Sequence, residues 1–172
     1  MNHQETSRRK FIRSSSALAG FYILPSGLRA NSPNGRLQSA HIGVGGKGSV
    51  DTAQIAAHPN TQVVALCDVD RNSLDGRGRK QKANAKERYP GAKKFQDYRE
   101  MFAAMSEKID IVSVSTPDHT HYPATMKAIE LGKHVYTQKP LTNNIAEARA
   151  LMTSARKHKV FTQMGIQNQS SI

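Results

Sequence analysis

Gly43, Gly45 and Gly48 stand in G-x-G-x-x-G spacing, with Gly46 between them, directly after a short apolar run. In that position Gly43 permits a tight turn and Gly45 lets backbone approach a pyrophosphate. Gly48 lets the following helix pack closely on its strand. The unpaired N–H groups and dipole of that helix start favour negative charge. A merely flexible glycine loop is the alternative. Asp68 lies twenty residues beyond Gly48, at the end of a second apolar run. A carboxylate there can accept both hydroxyl hydrogens of an adenosine ribose, which favours NAD. Its alternative is an ordinary strand-end acid such as Asp70. Arg71 lies just beyond and could instead accept a 2′-phosphate, so NADP stays open beside NAD.

Two further groups sit at the ends of later apolar runs. Thr116-Pro117-Asp118-His119-Thr120-His121 holds two histidines at i, i+2 spacing. A metal site would need a third ligand nearby and the sequence offers none, so no metal is expected. A nucleotide-contacting loop, with Pro117 fixing the turn, suits the position better than a catalytic pair. In Gln138-Lys139-Pro140, an ammonium beside a nicotinamide could hydrogen-bond a substrate hydroxyl and stabilise the alkoxide character that develops as hydride leaves. On composition alone Lys139 reads as a surface lysine.

The elements that must position these groups alternate regularly. Strands are expected at residues 39–42, 61–68, about 94–95, 109–115, 134–137 and 160–164. Helices are expected at 49–58, within 71–88, and at 97–105, 123–131 and from Thr142 onward. Gly132 closes the fourth helix, and Ile145, Ala148, Leu151, Met152 and Ala155 form one face of the fifth. Six short strands alternating with five helices imply an α/β, doubly wound, mostly parallel sheet of Rossmann type, joined by right-handed crossovers. Ligands bind such sheets beyond the carboxyl ends of the strands, where all four groups fall.

The chain has 172 residues, enough for one domain with a real core. The single cysteine, Cys67, excludes an intrachain disulfide and reads as a buried thiol. The formal charge of +12 raises the possibility of nucleic acid. The basic run Arg77-Gly-Arg79-Lys80-Gln81-Lys82 has no interleaved aromatic residue, so a solvated helix face fits it better and no nucleic-acid partner is expected. No apolar run reaches the ~18–20 residues of a membrane span.

Residues 7–13 read S-R-R-K-F-I-R and resemble a twin-arginine export signal, followed by a modest apolar stretch that Pro25 breaks. The alternative is a disordered basic arm. The expected organisation is therefore a signal peptide over 1–30, a linker over 31–38 and a dinucleotide-binding domain over 39–172. The twin-arginine export machinery would be a partner, and the protein would be periplasmic or otherwise exported. That route carries proteins that have already folded, which suits one that must take up its cofactor in the cytoplasm.

Taken together, the glycine loop, V-A-L-C-D at 64–68, T-P-D-H-T-H at 116–121 and G-K-H-V-Y-T-Q-K-P-L at 132–141 resemble the N-terminal domain of the glucose–fructose oxidoreductase / inositol dehydrogenase family (Gfo/Idh/MocA). The resemblance covers about residues 39–167. It implies that Gly43, Gly45, Gly46 and Gly48 hold the pyrophosphate and Asp68 the ribose, and that Thr116, Pro117 and His121 line the cofactor cleft. It also implies that Lys139 lies near the nicotinamide and takes part in catalysis. Gln138 stands where the family usually has glutamate, and its amide could still bond a ribose hydroxyl. Family members continue into a second domain that supplies the substrate pocket. The expectation is thus the cofactor domain of an exported NAD(P)-dependent oxidoreductase acting on sugars, cyclitols or related polyols, truncated and by itself inactive. A non-catalytic nucleotide-binding module and a fragment of an NAD-dependent glycosidase are the alternatives.

Overall fold

The computed structural model describes residues 35–76 and 88–166. The export signal, the first half of the linker, the basic run at 77–82 and the last six residues lie outside them. Six strands form one sheet: β1 (Leu37–Ile42), β2 (Thr61–Cys67), β3 (Lys93–Phe95), β4 (Ile111–Val114), β5 (His134–Gln138) and β6 (Thr162–Gly165). All pair in parallel, in the order β3-β2-β1-β4-β5-β6. This is the doubly wound arrangement, with the direction of winding reversing between β1 and β4. β1 starts at Leu37, two residues before its expected start, because Leu37 and Gln38 already pair with Thr61 and Gln62.

Among the described residues the helices are α1 (Gly46–Ala56), α2 (Arg71–Leu74), α3 (Tyr98–Met105), α4 (His121–Glu130) and α5 (Ile145–His158), and most of the stretch expected to hold a helix within 71–88 lies outside those residues. The larger core lies on the face covered by α3, α4 and α5. There Ala40, Ile42, Ala65, Cys67, Val112, Val114 and Val135 meet Met101, Phe102, Ala128, Ile129 and Leu151. A smaller cluster of Val44, Val63, Leu66 and Leu74 lies on the other face, with Ala56 of α1 packed against it. The β1–β2 register runs from Ser39↔Val63 to Ala40↔Ala65 and skips Val64. That one-residue bulge exchanges the faces of β2, so Val63 serves the small core while Ala65 and Cys67 serve the large one.

Side chains fix where most helices begin. Asp70 accepts from the Asn72 N–H, Asp97 from the Arg99 N–H and Asn144 from the Glu147 N–H. Thr142 is therefore not the cap of α5. The α5 face also differs from its expected form: Leu151 and Ala155 are buried, whereas Ile145 is 71% exposed and Met152 47% exposed. Of the three longer helices with an extended N-cap, α1, α3 and α5, only α1 starts without a side-chain cap; its N-cap is Gly45.

Candidate functional site

A cleft of about 610 Å³ opens beyond the carboxyl ends of β1, β2, β3 and β4. It straddles the point between β1 and β4 where the winding reverses, the place where such sheets bind ligands. Gly43 and Gly45 form part of its wall, with Asp68, Ser73, Thr116, Pro117 and the Gln96–Arg99 stretch.

The glycine turn is shaped by close approach. Gly43 has φ +80, and a Cβ there would sit 2.6 Å from the Ser115 carbonyl oxygen. A Cβ on Gly48 would come within 1.9 Å of the Gly43 carbonyl oxygen. Gly48 thus lets α1 close on the turn itself rather than on the strand. A Cβ on Gly45 would meet Ser73 Oγ at 2.7 Å. Gly46, at φ +49, has open space around it.

Asp68 is bound to that turn. Its Oδ2 accepts from the Val44 N–H (2.9 Å) and the Gly45 N–H (3.1 Å), and its Oδ1 from the Asp70 N–H (3.0 Å). The carboxylate therefore lines the cleft and braces the loop at once. Arg71, exposed at the start of α2, does not line the cleft. The neighbouring Cys67 thiol also reaches the cleft, but burial first, then the Asp68 carboxylate, pushes it up to about 12. It stays a neutral thiol.

The two histidines part company. His119 is exposed and lines the cleft, whereas His121 is buried at the start of α4. Its ring lies between two carbonyls, with Nδ1 2.6 Å from Pro140 O and Nε2 2.8 Å from Thr116 O. His121 therefore clamps the loop after β4 to the loop after β5 instead of facing the cleft. Thr116 Oγ1 is buried and has no hydrogen-bond partner. Lys139 is exposed at the end of β5, outside the lining of this cleft, and its N–H donates to Gln138 Oε1 (3.2 Å). Gln138 is buried, its side chain turned inward to Asp51 (2.7 Å).

The walls from α2 and α3 were not singled out in the sequence. Asp97 accepts from Arg99 Nε at 2.9 and 3.0 Å, and these bonds hold the Asp97 carboxyl below the usual carboxylate range. The position of Asp97 just past β3 was the available signal, hidden because β3 is only three residues long.

The residues fit a dinucleotide. The glycines let the turn fold tightly at the start of α1, Gly46 has open space around it, α1 begins without a side-chain cap, Asp68 stands at the end of β2, and Thr116 and Pro117 line the cleft opposite. Comparison with known proteins agrees. Residues 37–166 match the model of the Gfo/Idh/MocA oxidoreductase family with an NAD-binding Rossmann fold. The chain is 32% identical over 123 residues to D-glucoside 3-dehydrogenase of Escherichia coli, covering 70% of this chain and 32% of that protein. It is likewise 32% identical over 129 residues to a glycosyl hydrolase family 109 protein of Stenotrophomonas maltophilia, covering 73% of this chain and 28% of that one. It superposes on the structure of GenD2 from gentamicin A biosynthesis in complex with NAD with TM-score 0.64 and 28% identity, over 76% of this chain and 34% of that chain. The chain thus spans about a third of the length of these relatives.

Proposed function

The chain belongs to the Gfo/Idh/MocA family of NAD-binding oxidoreductases, and from that premise we propose that it is the cofactor-binding part of an exported enzyme that oxidises or reduces a sugar, cyclitol or related polyol. The observation that carries the reading is the cleft at the winding reversal, where Gly43, Gly45 and Asp68 meet the loop after β4. Bound there, NAD or NADP would supply a nicotinamide ring that accepts or returns hydride. The glycine turn and the start of α1 would hold the pyrophosphate, and Asp68 the adenosine ribose. Thr116 and Pro117, on the loop after β4, would flank the dinucleotide. Lys139, one strand beyond, would hydrogen-bond the reacting hydroxyl and stabilise its alkoxide character. The surface that selects the substrate would belong to the portion of the longer relatives that this chain does not match. The serine and paired arginines at residues 7–9 support export by the twin-arginine route.

The test is direct binding. Protein stripped of nucleotide should bind NADH or NADPH by calorimetry. Asp68→Ala should weaken binding roughly ten- to hundredfold, the worth of about 1.5–3 kcal/mol for hydrogen bonds to a charged group. Lys139→Ala should leave affinity within about threefold and abolish polyol oxidation in the longer enzyme. Absence of affinity for either nucleotide would sink the proposal. Similarity to the glycosyl hydrolase supports a second reading, glycoside cleavage, which aryl-glycoside turnover would bring to the front.

A further inference from the structure

The strongest unexplained group is a carboxylate beneath the cleft. Asp51, in the second turn of α1, is 2% exposed. Its oxygens accept from three side chains on three different elements: Lys47 one turn earlier, Ser115 Oγ at 2.8 Å just past β4, and Gln138 Nε2 at 2.7 Å at the end of β5. One buried charge thereby ties the glycine helix to the loop that carries Thr116 and to the segment that carries Lys139.

Gln138 is committed at both ends of its amide. Nε2 donates to Asp51 and lies 3.2 Å from the Tyr136 hydroxyl, while Oε1 accepts from the Lys139 N–H at 3.2 Å. A carboxylate only accepts, so Asp51 fixes which way the amide turns, and that orientation delivers Oε1 to the backbone of Lys139. A glutamate at 138 would set two carboxylates against each other at hydrogen-bond distance, where both cannot stay ionised. The groups around the pair cannot absorb a second negative charge. Lys47 supplies one cation, and the His41 ring on β1 is kept neutral by its burial.

We propose that Asp51 is a positioning residue that ties the glycine helix to the segment carrying Lys139, acting through Gln138, and that position 138 carries an amide because residue 51 is a buried carboxylate. Gln138 is then an internal tie rather than a contact to the cofactor ribose. The part concerning Lys139 rests on the function proposed above.

The experiment compares the full chain with Q138E, D51N, Q138A and the exchange D51N/Q138E. Urea unfolding is followed from about pH 5 to 8, with NADH binding measured by fluorescence at each pH. Folded Q138E must hold an extra proton between the two carboxyls, so its stability should fall steadily across that range as pH rises. In D51N/Q138E donor and acceptor have changed places. The slope should return to that of the parent, and an NADH affinity weakened about tenfold in Q138E should recover to within about threefold. Should Q138E fail to fold while the exchanged pair folds, the matched pair is equally supported. A flat pH profile for Q138E, an exchanged pair no better than Q138E, or neither variant folding would overturn it. So would a loss of NADH affinity in Q138A that D51N does not share, since Gln138 would then be touching the nucleotide itself. If the parent binds no NADH while slope and rescue are as expected, the proposed function fails and the tie between 51 and 138 stands.

Discussion

Gly48 and Gly46 lie two residues apart and should tolerate a methyl group very differently. At Gly46 a Cβ meets nothing within 4 Å, so alanine pays only for a left-handed φ of +49. We expect Gly46→Ala to lower stability by about 1–2 kcal/mol and to leave the turn in place. At Gly48 the obstacle is the Gly43 carbonyl, 1.9 Å away and itself held in the turn. Gly48→Ala should cost at least about 3 kcal/mol, since backbone rather than a mobile side chain must yield, and should abolish NADH binding. Urea unfolding of both variants checks this, and a Gly48→Ala protein as stable as Gly46→Ala would refute it. The glycine spacing was legible in the sequence because it is local. That Gly48 opposes Gly43, and that Asp68 braces the same turn, was not, since both depend on how α1 and β2 approach it.

Among the elements, α5 gives the cleanest test of where a helix begins. Asn144 accepts from the Glu147 N–H at 2.9 Å, and Glu147 Oε2 accepts from the Asn143 N–H at 3.1 Å. Asn144→Ala should therefore destabilise the protein by about 1 kcal/mol. Thr142→Ala, which removes only an exposed bond to the Asn144 carbonyl, should cost under about 0.5 kcal/mol. Equal costs for the two in thermal unfolding would contradict the capping assignment. The sequence placed the strands well because β-branched runs such as T-Q-V-V-A-L-C are buried on both faces. It misjudged α5 because helical spacing names a face without saying how far the neighbouring layer extends: Ile145, at the first position, lies largely in solvent. Equally hidden was the clamp of His121, whose partners Thr116 and Pro140 come from two different loops.

At the scale of the whole molecule, His41 sets an acid limit on stability. Its ring lies in β1 with Nε2 3.0 Å from Ser39 Oγ and with Nδ1 unpartnered. Burial lowers its pKa to about 4, partly offset by the Asp51 carboxylate. The unfolded chain takes up this proton near pH 6.5 and the folded one only near 4, so stability is full above that window and falls as pH drops through it. The loss is on the order of 3 kcal/mol by pH 4. His41→Gln should flatten the acid limb of a urea-unfolding series between pH 7 and 4, and an unchanged limb would show that another group controls it. The central place of β1 also has a consequence in time. Its pairing with β2 can form early, but on its other side Gln38 donates to Asp110, 72 residues along the chain. At a synthesis rate of about 5–20 residues per second, roughly 4–14 s separate the emergence of those two partners from the ribosome. For that interval the nascent strand that leads into the glycine turn has one bare edge, and its contact with Ser115 does not yet exist.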